Sequence, residues 1–495
     1  VAASDAPDHV KRQADYVCDG VDDHVEIQAA IDALPNCGGS VYVSGGTYQC
    51  RETITLPDHT HLKFEKGASL YVPDDQTLTI YTKHGSPVSA LITNADHVGG
   101  NTGIVIDGGY IDLMSGNGDT HTKSLLQTWA GIWLDQCTDC VVERVTVENV
   151  VYNVNWGRGR AFGVLISDCE HCVVRECEGN DTGYEGIGIR GDNRHILVER
   201  CRGFRNRQHS MQASSFAPPD VGGPQDVTFR GCYGNGSILV HGTPGQDARD
   251  IVFDRCRTTS YIAAIGDVRG VTFRDCVSDH AAGSGRRGIS IRVMGVGATI
   301  RDVVIERFHY ISPFVAGTRP IEIRSEIAGG TIKNVTIKDS YFESAKFVDL
   351  TDLGNADSVF SDISIRNNLM VYPEGFPFDG TSFQYELKSE TSVLDNITFE
   401  GNVFRKERVH GIYALMMADG NNVVDVTNIT LINNDLSEFR MLFRNLASAA
   451  MGYLRAEGNT GYITENKDAA ASTPDGGTIA HGCAAAPTTV TVSGS

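Results

Sequence analysis

Two triplets of the chain hold residue types suited to proton transfer. Tyr184-Glu185-Gly186 and Gln208-His209-Ser210 lie 24 residues apart, and each opens a similar apolar run, Gly186-Ile-Gly-Ile-Arg190 and Ser210-Met-Gln-Ala-Ser214. The alignment puts Glu185 and His209 at equivalent positions, close enough to touch. A carboxylate beside an imidazole sets its tautomer and raises its proton affinity, which suits general acid–base chemistry. Asp181, Arg190 and Arg207 lie within a few residues of these triplets and add a second carboxylate and two cations. An ordinary surface ion pair, contributing less than ~1 kcal/mol, is the competing reading of Glu185 and His209.

Side chains with sugar-binding chemistry surround these candidates. All three tryptophans, Trp129, Trp133 and Trp156, fall within 28 residues, and exposed rings stack on sugar faces. Packing of Trp129 and Trp156 inside the long loop Val151–Phe162 is the alternative. Aligned apolar runs place Trp133 with Leu165, Gly188, Gln212 and Leu239. The next outward position holds Asp135, Ser167, Arg190, Ser214 and His241. Arg160 and Asp192 flank the same runs, so Trp133, Asp135, Trp156, Arg160, Asp192, Gln212 and His241 are the candidate substrate-binding residues, and Glu185, His209, Tyr184, Arg190, Arg207 and Asp181 the candidate catalytic ones.

A repeat must position them. Windows beginning at Gly163, Gly186, Ser210, Ser237 and Tyr261 start 23, 24, 27 and 24 residues apart, and each is followed by a second window ending in Cys177, Cys201, Cys232, Cys256 or Cys276. Two short strands per period, turns of Gly, Asn and Asp, and no helical periodicity predict an all-β, right-handed single-stranded parallel β-helix. Later windows, among them Gly288-Ile-Ser-Ile-Arg292 and Ile321-Glu-Ile-Arg324, continue the pattern. The loop Val371–Phe383, with Pro373 and Pro377, is the longest late insertion.

The five repeating cysteines form one inward column of small apolar side chains. Cys137-x-x-Cys140 and Cys169-x-x-Cys172 have the spacing of a four-cysteine zinc site, but Cys140 and Cys172 align with the core positions Ile196 and Val227, which favours a turn-plus-core repeat. A cross-coil disulfide between Cys137 and Cys169 is compatible with the ~4.8 Å separation of neighbouring coils. Asp349, Asp352 and Asp357 offer oxygen ligands for calcium, yet no glycine-aspartate repeat accompanies them, and no cofactor is expected.

Composition excludes several classes. A formal charge of −20 argues against a nucleic-acid partner, which requires a basic face. No run approaches the ~18 apolar residues of a membrane span. Ten arginines balance ten acidic residues between Val141 and Ser210, so this neutral stretch of an acidic chain repels an anionic ligand least.

Residues 1–95 read as an N-terminal capping module with the first coils, 96–465 as the β-helix, and 466–495 as a tail or the start of a further small β-domain. In the first of these, Asp22-Asp23 is placed to cap a helix whose Ile27, Ala30, Ile31 and Leu34 share one face. The stretches Asp19-Gly-Val-Asp-Asp23, Ile27-Gln-Ala-Ala-Ile-Asp-Ala-Leu34 and Gly38-Gly-Ser-Val-Tyr-Val-Ser-Gly-Gly-Thr-Tyr48 resemble the N-terminal segment of pectate-lyase-like right-handed β-helix proteins. That superfamily includes polygalacturonases, mannuronan C5-epimerases and phage tailspikes.

The resemblance implies a polysaccharide partner and an extracellular or virion-associated location, with a homotrimer where the spike reading holds. Relative to polygalacturonases, Tyr184-Glu-Gly186 stands in place of paired aspartates and Gln208-His-Ser210 in place of Gly-His-Gly; Arg160-Ala-Phe162 replaces the upstream Asn-Thr-Asp. An inverting hydrolase would need Asp181 or Asp192 as its second carboxylate. Asn206-Arg-Gln-His209 is similar to the Asp-Arg-His stretch of mannuronan epimerases, whose Asp-Pro-His-Glu signature is missing. Lyase or epimerase chemistry would use Arg190 or Arg207, His209 and Tyr184. A non-catalytic fibre or receptor-binding tailspike is the alternative from another class.

Overall fold

Short apolar runs between polar turns cannot bury themselves singly, and stacking one coil on the next solves this. In the computed structural model the coils up to Ala418 supply three strands apiece, one to each of three parallel sheets, and the fold is a right-handed parallel β-helix. The structure describes residues 1–73, 78–83, 85–113, 128–150, 160–215, 222–280, 287–312, 318–344, 346–353, 357–372, 380–387, 391–406, 412–418, 425–435, 441–445 and 454–457. Trp156, most of the Val371–Phe383 loop and the 466–495 tail lie outside them.

The two-strand expectation is corrected to three. The extra strands, such as Glu178–Asn180, Arg202–Phe204 and Tyr233–Gly234, are two or three residues long, too short to leave a periodic signature. They follow the cysteine column, whose members Cys177, Cys201, Cys232, Cys256 and Cys276 are all buried.

Contacts divide the chain into two compact units, Val1–Leu239 and Val240–Ser495. In the first, one sheet carries Thr128–Asp135, Ala161–Ser167, Glu185–Arg190 and His209–Ser214 in neighbouring positions. A departure from the all-parallel pattern is Tyr81–Lys83, which folds back antiparallel onto Ser86–Asn94. The helix His24–Asp32 buries Ile27, Ala30 and Ile31, and Leu34, just past its end, is half-buried. Asp23 precedes it without capping it. Its carboxylate instead accepts from the backbone N–H groups of Gly20 and Gln49, at 2.8 and 2.7 Å. Gln28 closes the sheet edge by accepting from Thr55 N–H at 2.8 Å and donating to its C=O at 3.2 Å, as a neighbouring strand would.

In the second unit Arg287–Val293, Arg319–Ser325 and Lys346–Asp352 are neighbours in one sheet. A buried amide ladder braces its turns: Asn368 Nδ2 donates to Asn402 Oδ1 at 3.0 Å, and Asn402 Nδ2 to Asn434 Oδ1 at 2.9 Å.

Candidate functional site

Side chains alternate along a strand, so Val164, Ile166, Ile187 and Ile189 fill the inside of the coil and their neighbours point outward. The outward register agrees with the sequence alignment. Trp133 pairs with Leu165, Gly188 and Gln212 in turn, Asp135 with Ser167, Arg190 and Ser214, and Glu185 with His209.

What the alignment does not convey is that this outward face is itself buried. Trp133, Phe162 and Leu165 join Val88, Ala90 and Ala130 in an apolar cluster outside the coil, with Tyr81 and Tyr184 packed against it. Trp133 is fully buried, with His97 stacked on it at 4.3 Å and Tyr81 edge-on at 5.9 Å, so the expectation of an exposed sugar-stacking ring is corrected. Its indole N–H donates to Ser167 Oγ at 2.7 Å, and Ser167 donates to Asp135 Oδ1 at 2.6 Å. Lys83 then bridges Asp135 and Asp168, 2.7 Å from each, and His97 Nδ1 lies 3.4 Å from Asp135. Burial opposes the Lys83 charge, but the two carboxylates outweigh it and raise its pKa. Asp135 is therefore committed to a buried ion pair. Sequence reasoning missed Lys83 and His97, because only the fold-back of Tyr81–Lys83 and the Asn94–Asn101 turn bring them here, and with them Asp168, which follows Ser167 directly and gains its role only through Lys83.

Next to this network lies a second buried charge cluster. Glu185 is fully buried, and its Oε1 accepts from the Arg190 guanidinium, which also donates to Ser214 Oγ and, at 3.3 Å, to Gln212 Oε1. Glu185 Oε2 has no hydrogen-bond partner among the described residues. Desolvation pushes the Glu185 carboxyl from its ordinary 4.5 up to about 7, with Arg190 and Arg160 pulling the other way. The Arg190 guanidinium lies 5.4 Å from the Phe162 ring centroid and 5.2 Å from that of Tyr184, and Arg160 lies 5.9 Å from the latter. Burial and the neighbouring Arg190 lower the Arg160 pKa. Arg160 has no carboxylate within ion-pair distance among the described residues.

The remaining candidates disperse. His209 sits in register with Glu185, but its Nδ1 lies 2.6 Å from Ser237 Oγ, and the carboxylate's hydrogen bond goes to Arg190 instead. Asp181 is held by Arg205 at 2.8 and 2.6 Å, and Asp192 by Arg194 at 3.3 and 3.1 Å. Arg207 is exposed, its backbone N–H bonded to Thr182 O at 3.0 Å. His241 is half-buried on Ser237–Gly242, past the Leu239/Val240 division. Thus Glu185, Arg190, Arg160, Tyr184 and Gln212 converge, whereas Asp181 and Asp192 are tied up in ion pairs elsewhere on the turns.

The metal-like motifs have other uses. Cys137, Cys140, Cys169 and Cys172 are buried free thiols, and no three of their sulfurs lie within 4.8 Å of one another, so a tetrahedral site is not preformed. Ile196 pairs with Val227 in the sheet that continues the Cys140 and Cys172 positions, in line with a turn-plus-core repeat. Asp349 pairs with Arg319 and Lys346, and Asp352 accepts from Ser358 and Ser392, which occupies both with protein donors. The exposed Glu170, His171 and His195 have ligand atoms within 4.8 Å of one another. The two imidazoles stack within 5° of parallel, however, so their in-plane lone pairs do not meet at one ion.

No protein-family model and no curated protein matches the sequence. Solved structures do. The chain is similar to a family 28 exopolygalacturonase of Yersinia enterocolitica (14% identity, 83% of this chain and 76% of that one, TM-score 0.49). It is similar also to PfbA, a surface adhesin of Streptococcus pneumoniae (14% identity, 78% and 88%, TM-score 0.44). A third is the tailspike protein of E. coli bacteriophage HK620, in complex with a pentasaccharide (13% identity, 90% and 75%, TM-score 0.41). The likeness is one of fold.

Proposed function

We propose that this β-helix is an extracellular or virion-associated protein that binds an acidic polysaccharide and modifies it by proton abstraction at the Glu185 cluster. The observation that carries this reading is Glu185 itself, a carboxyl raised to about 7 with one oxygen unpartnered among the described residues, set beside two guanidinium groups. Perturbed carboxyls of this kind mark acid–base sites. One carboxyl against two cations leaves positive charge over, which suits a uronate.

In such a reaction Arg160 neutralises the uronate carboxylate and steadies the negative charge that develops on it. Glu185, ionised, takes the C5 proton. The C5–H electron pair becomes the C4–C5 double bond, the C4–O bond breaks, and Tyr184 hands a proton to the departing oxygen. Return of a proton to the opposite face of C5, without C4–O cleavage, gives epimerisation from the same intermediate. The half-buried Arg160 and Tyr184 are what a ligand meets first. Hydrolysis is less well supported, because Asp181 and Asp192 are each engaged by an arginine.

The near-complete burial of Glu185, Arg190 and Trp133 favours a second reading, a non-catalytic fibre or receptor-binding spike in which these charges serve packing. Incubation with polygalacturonate, alginate and neutral glycans separates the two. The catalytic reading expects ultraviolet absorbance from unsaturated uronate, reduced at least ~100-fold in Glu185→Gln. Absence of new absorbance, of reducing ends and of altered uronate stereochemistry across the panel leaves the spike.

A further inference from the structure

The second unit presents an outward face whose charges are layered by depth. At its centre Glu322 is fully buried and accepts from Ser290 Oγ at 2.8 Å and from Arg319 at 2.8 Å, with Arg287 Nε at 3.0 Å. Asp349, one coil on in the same column, pairs with Arg319 at 3.0 Å and Lys346 at 3.6 Å and accepts from Thr351 at 2.8 Å. Arg292 and Arg324 pair with Glu326 at 3.1 and 3.2 Å.

The sheet register turns these residues into ladders. Arg287 is paired with Arg319 and Arg292 with Arg324, while Ser290, Glu322 and Asp349 form the column between. Like charges stacked at ~4.8 Å repel unless something compensates, and the intervening carboxylates do so. The compensation is from below. The Glu322 and Asp349 side chains are 0% and 4% exposed, against 30% for Arg287, 34% for Arg319 and 27% for Lys346. Solvent therefore meets the cations. Among the described residues three cations, Arg287, Arg319 and Lys346, thus overlie two carboxylates, Glu322 and Asp349, on a chain whose formal charge is −20.

We infer that the Arg287–Arg319–Lys346 face is a binding surface for an extended carboxylate- or sulfate-bearing polysaccharide, with Glu322 and Asp349 as positioning residues beneath the guanidinium groups. Buried carboxylates hold the arginine forks in place, so less side-chain freedom is lost when an anion docks. The successive coils offer a cation at regular spacing, which a repeating polyanion can follow. This inference shares with the preceding section only the class of ligand; it uses no residue of the Glu185 cluster.

Binding of polygalacturonate oligosaccharides, a sulfated glycosaminoglycan, neutral dextran and duplex DNA to the full chain, by calorimetry at two salt concentrations, tests it. One or both anionic glycans bind, more weakly at high salt, and dextran and DNA do not. The two glycan arms tell carboxylate from sulfate. The triple variant Arg287→Gln/Arg319→Gln/Glu322→Gln removes the buried charge together with its partners, which protects the fold, and binds at least tenfold more weakly. Arg292→Gln/Arg324→Gln weakens binding in the same direction and serves if the triple variant melts early. Arg200→Gln, an exposed arginine of the first unit, leaves binding unchanged. Failure of both anionic glycans to bind the parent protein, equal binding by the folded variants, or DNA binding as tight as glycan binding overturns the inference. Loss of binding in these variants with unsaturated product still formed leaves the elimination reading intact.

Discussion

Replacement of Glu185 by Gln separates the cost of ionising this carboxyl from everything else in the protein. Desolvation raises the Glu185 pKa from 4.5 to about 7 in the folded chain. A folded-state pKa above the unfolded value means that the native state holds the proton more tightly. Its stabilising effect is then full below about pH 4.5 and is lost as pH rises through 7. A shift of this size corresponds to roughly 3 kcal/mol. The amide introduced by Glu185→Gln does not titrate, and every other group titrates alike in both proteins, so the difference between the two stability profiles isolates Glu185. Relative to Glu185→Gln, the parent should lose roughly 3 kcal/mol between about pH 4.5 and 8, whatever constant offset separates them. The assay is urea unfolding at a series of pH values. Tryptophan fluorescence reports on the correct unit, because all three tryptophans precede Leu239 and Trp133 lies in the adjoining cluster. Parallel profiles would refute the reasoning. So would a parent that gains stability over this window, which would mean that Arg190 and Arg160 overcome desolvation and keep the carboxylate ionised.

Three further outcomes follow from the same structure. Lys83→Met strands the buried Asp135 beside Asp168 and should destabilise the first unit by about 3–5 kcal/mol in denaturant titration, with Asp135→Asn restoring part of the loss. Trp133→Ala should cost about 3–5 kcal/mol by thermal or urea unfolding, since the indole is fully buried against His97 and Tyr81. Among the twelve described cysteines only Cys37 is exposed. A thiol reagent should thus label Cys37 rapidly in the native protein, and the other eleven only on unfolding, as read by peptide mass spectrometry.

The coil register is legible in the sequence because its signal is local and repeated. Gly186 aligned to Ser210 is enough to place Glu185 beside His209, and the sheet pairs them so. Periodicity also separates Val164 and Ile187, inside the coil, from Leu165 and Gly188, outside it. It carries no information on what lies over the outward side. Trp133 accordingly reads as exposed, whereas a fold-back strand with Tyr81 and Lys83 and the turn bearing His97 lie against its face. The Glu185–Arg190 pair is hidden for a related reason. The two residues are five apart on one strand, a spacing that joins opposite faces in a regular extended chain, yet the guanidinium meets the carboxylate. Residues that pair through long side chains or through insertions leave no spacing rule to read.

The most direct test of the central claim is a crystal structure of the Glu185→Gln variant soaked with a uronate oligosaccharide. The account predicts a uronate carboxylate against the Arg160 guanidinium, C5 facing the substituted amide at position 185, and Tyr184 turned from its place over Arg190. An oligosaccharide bound only to the Arg287–Arg319–Lys346 face, with the Glu185 cluster closed as it is here, would contradict it.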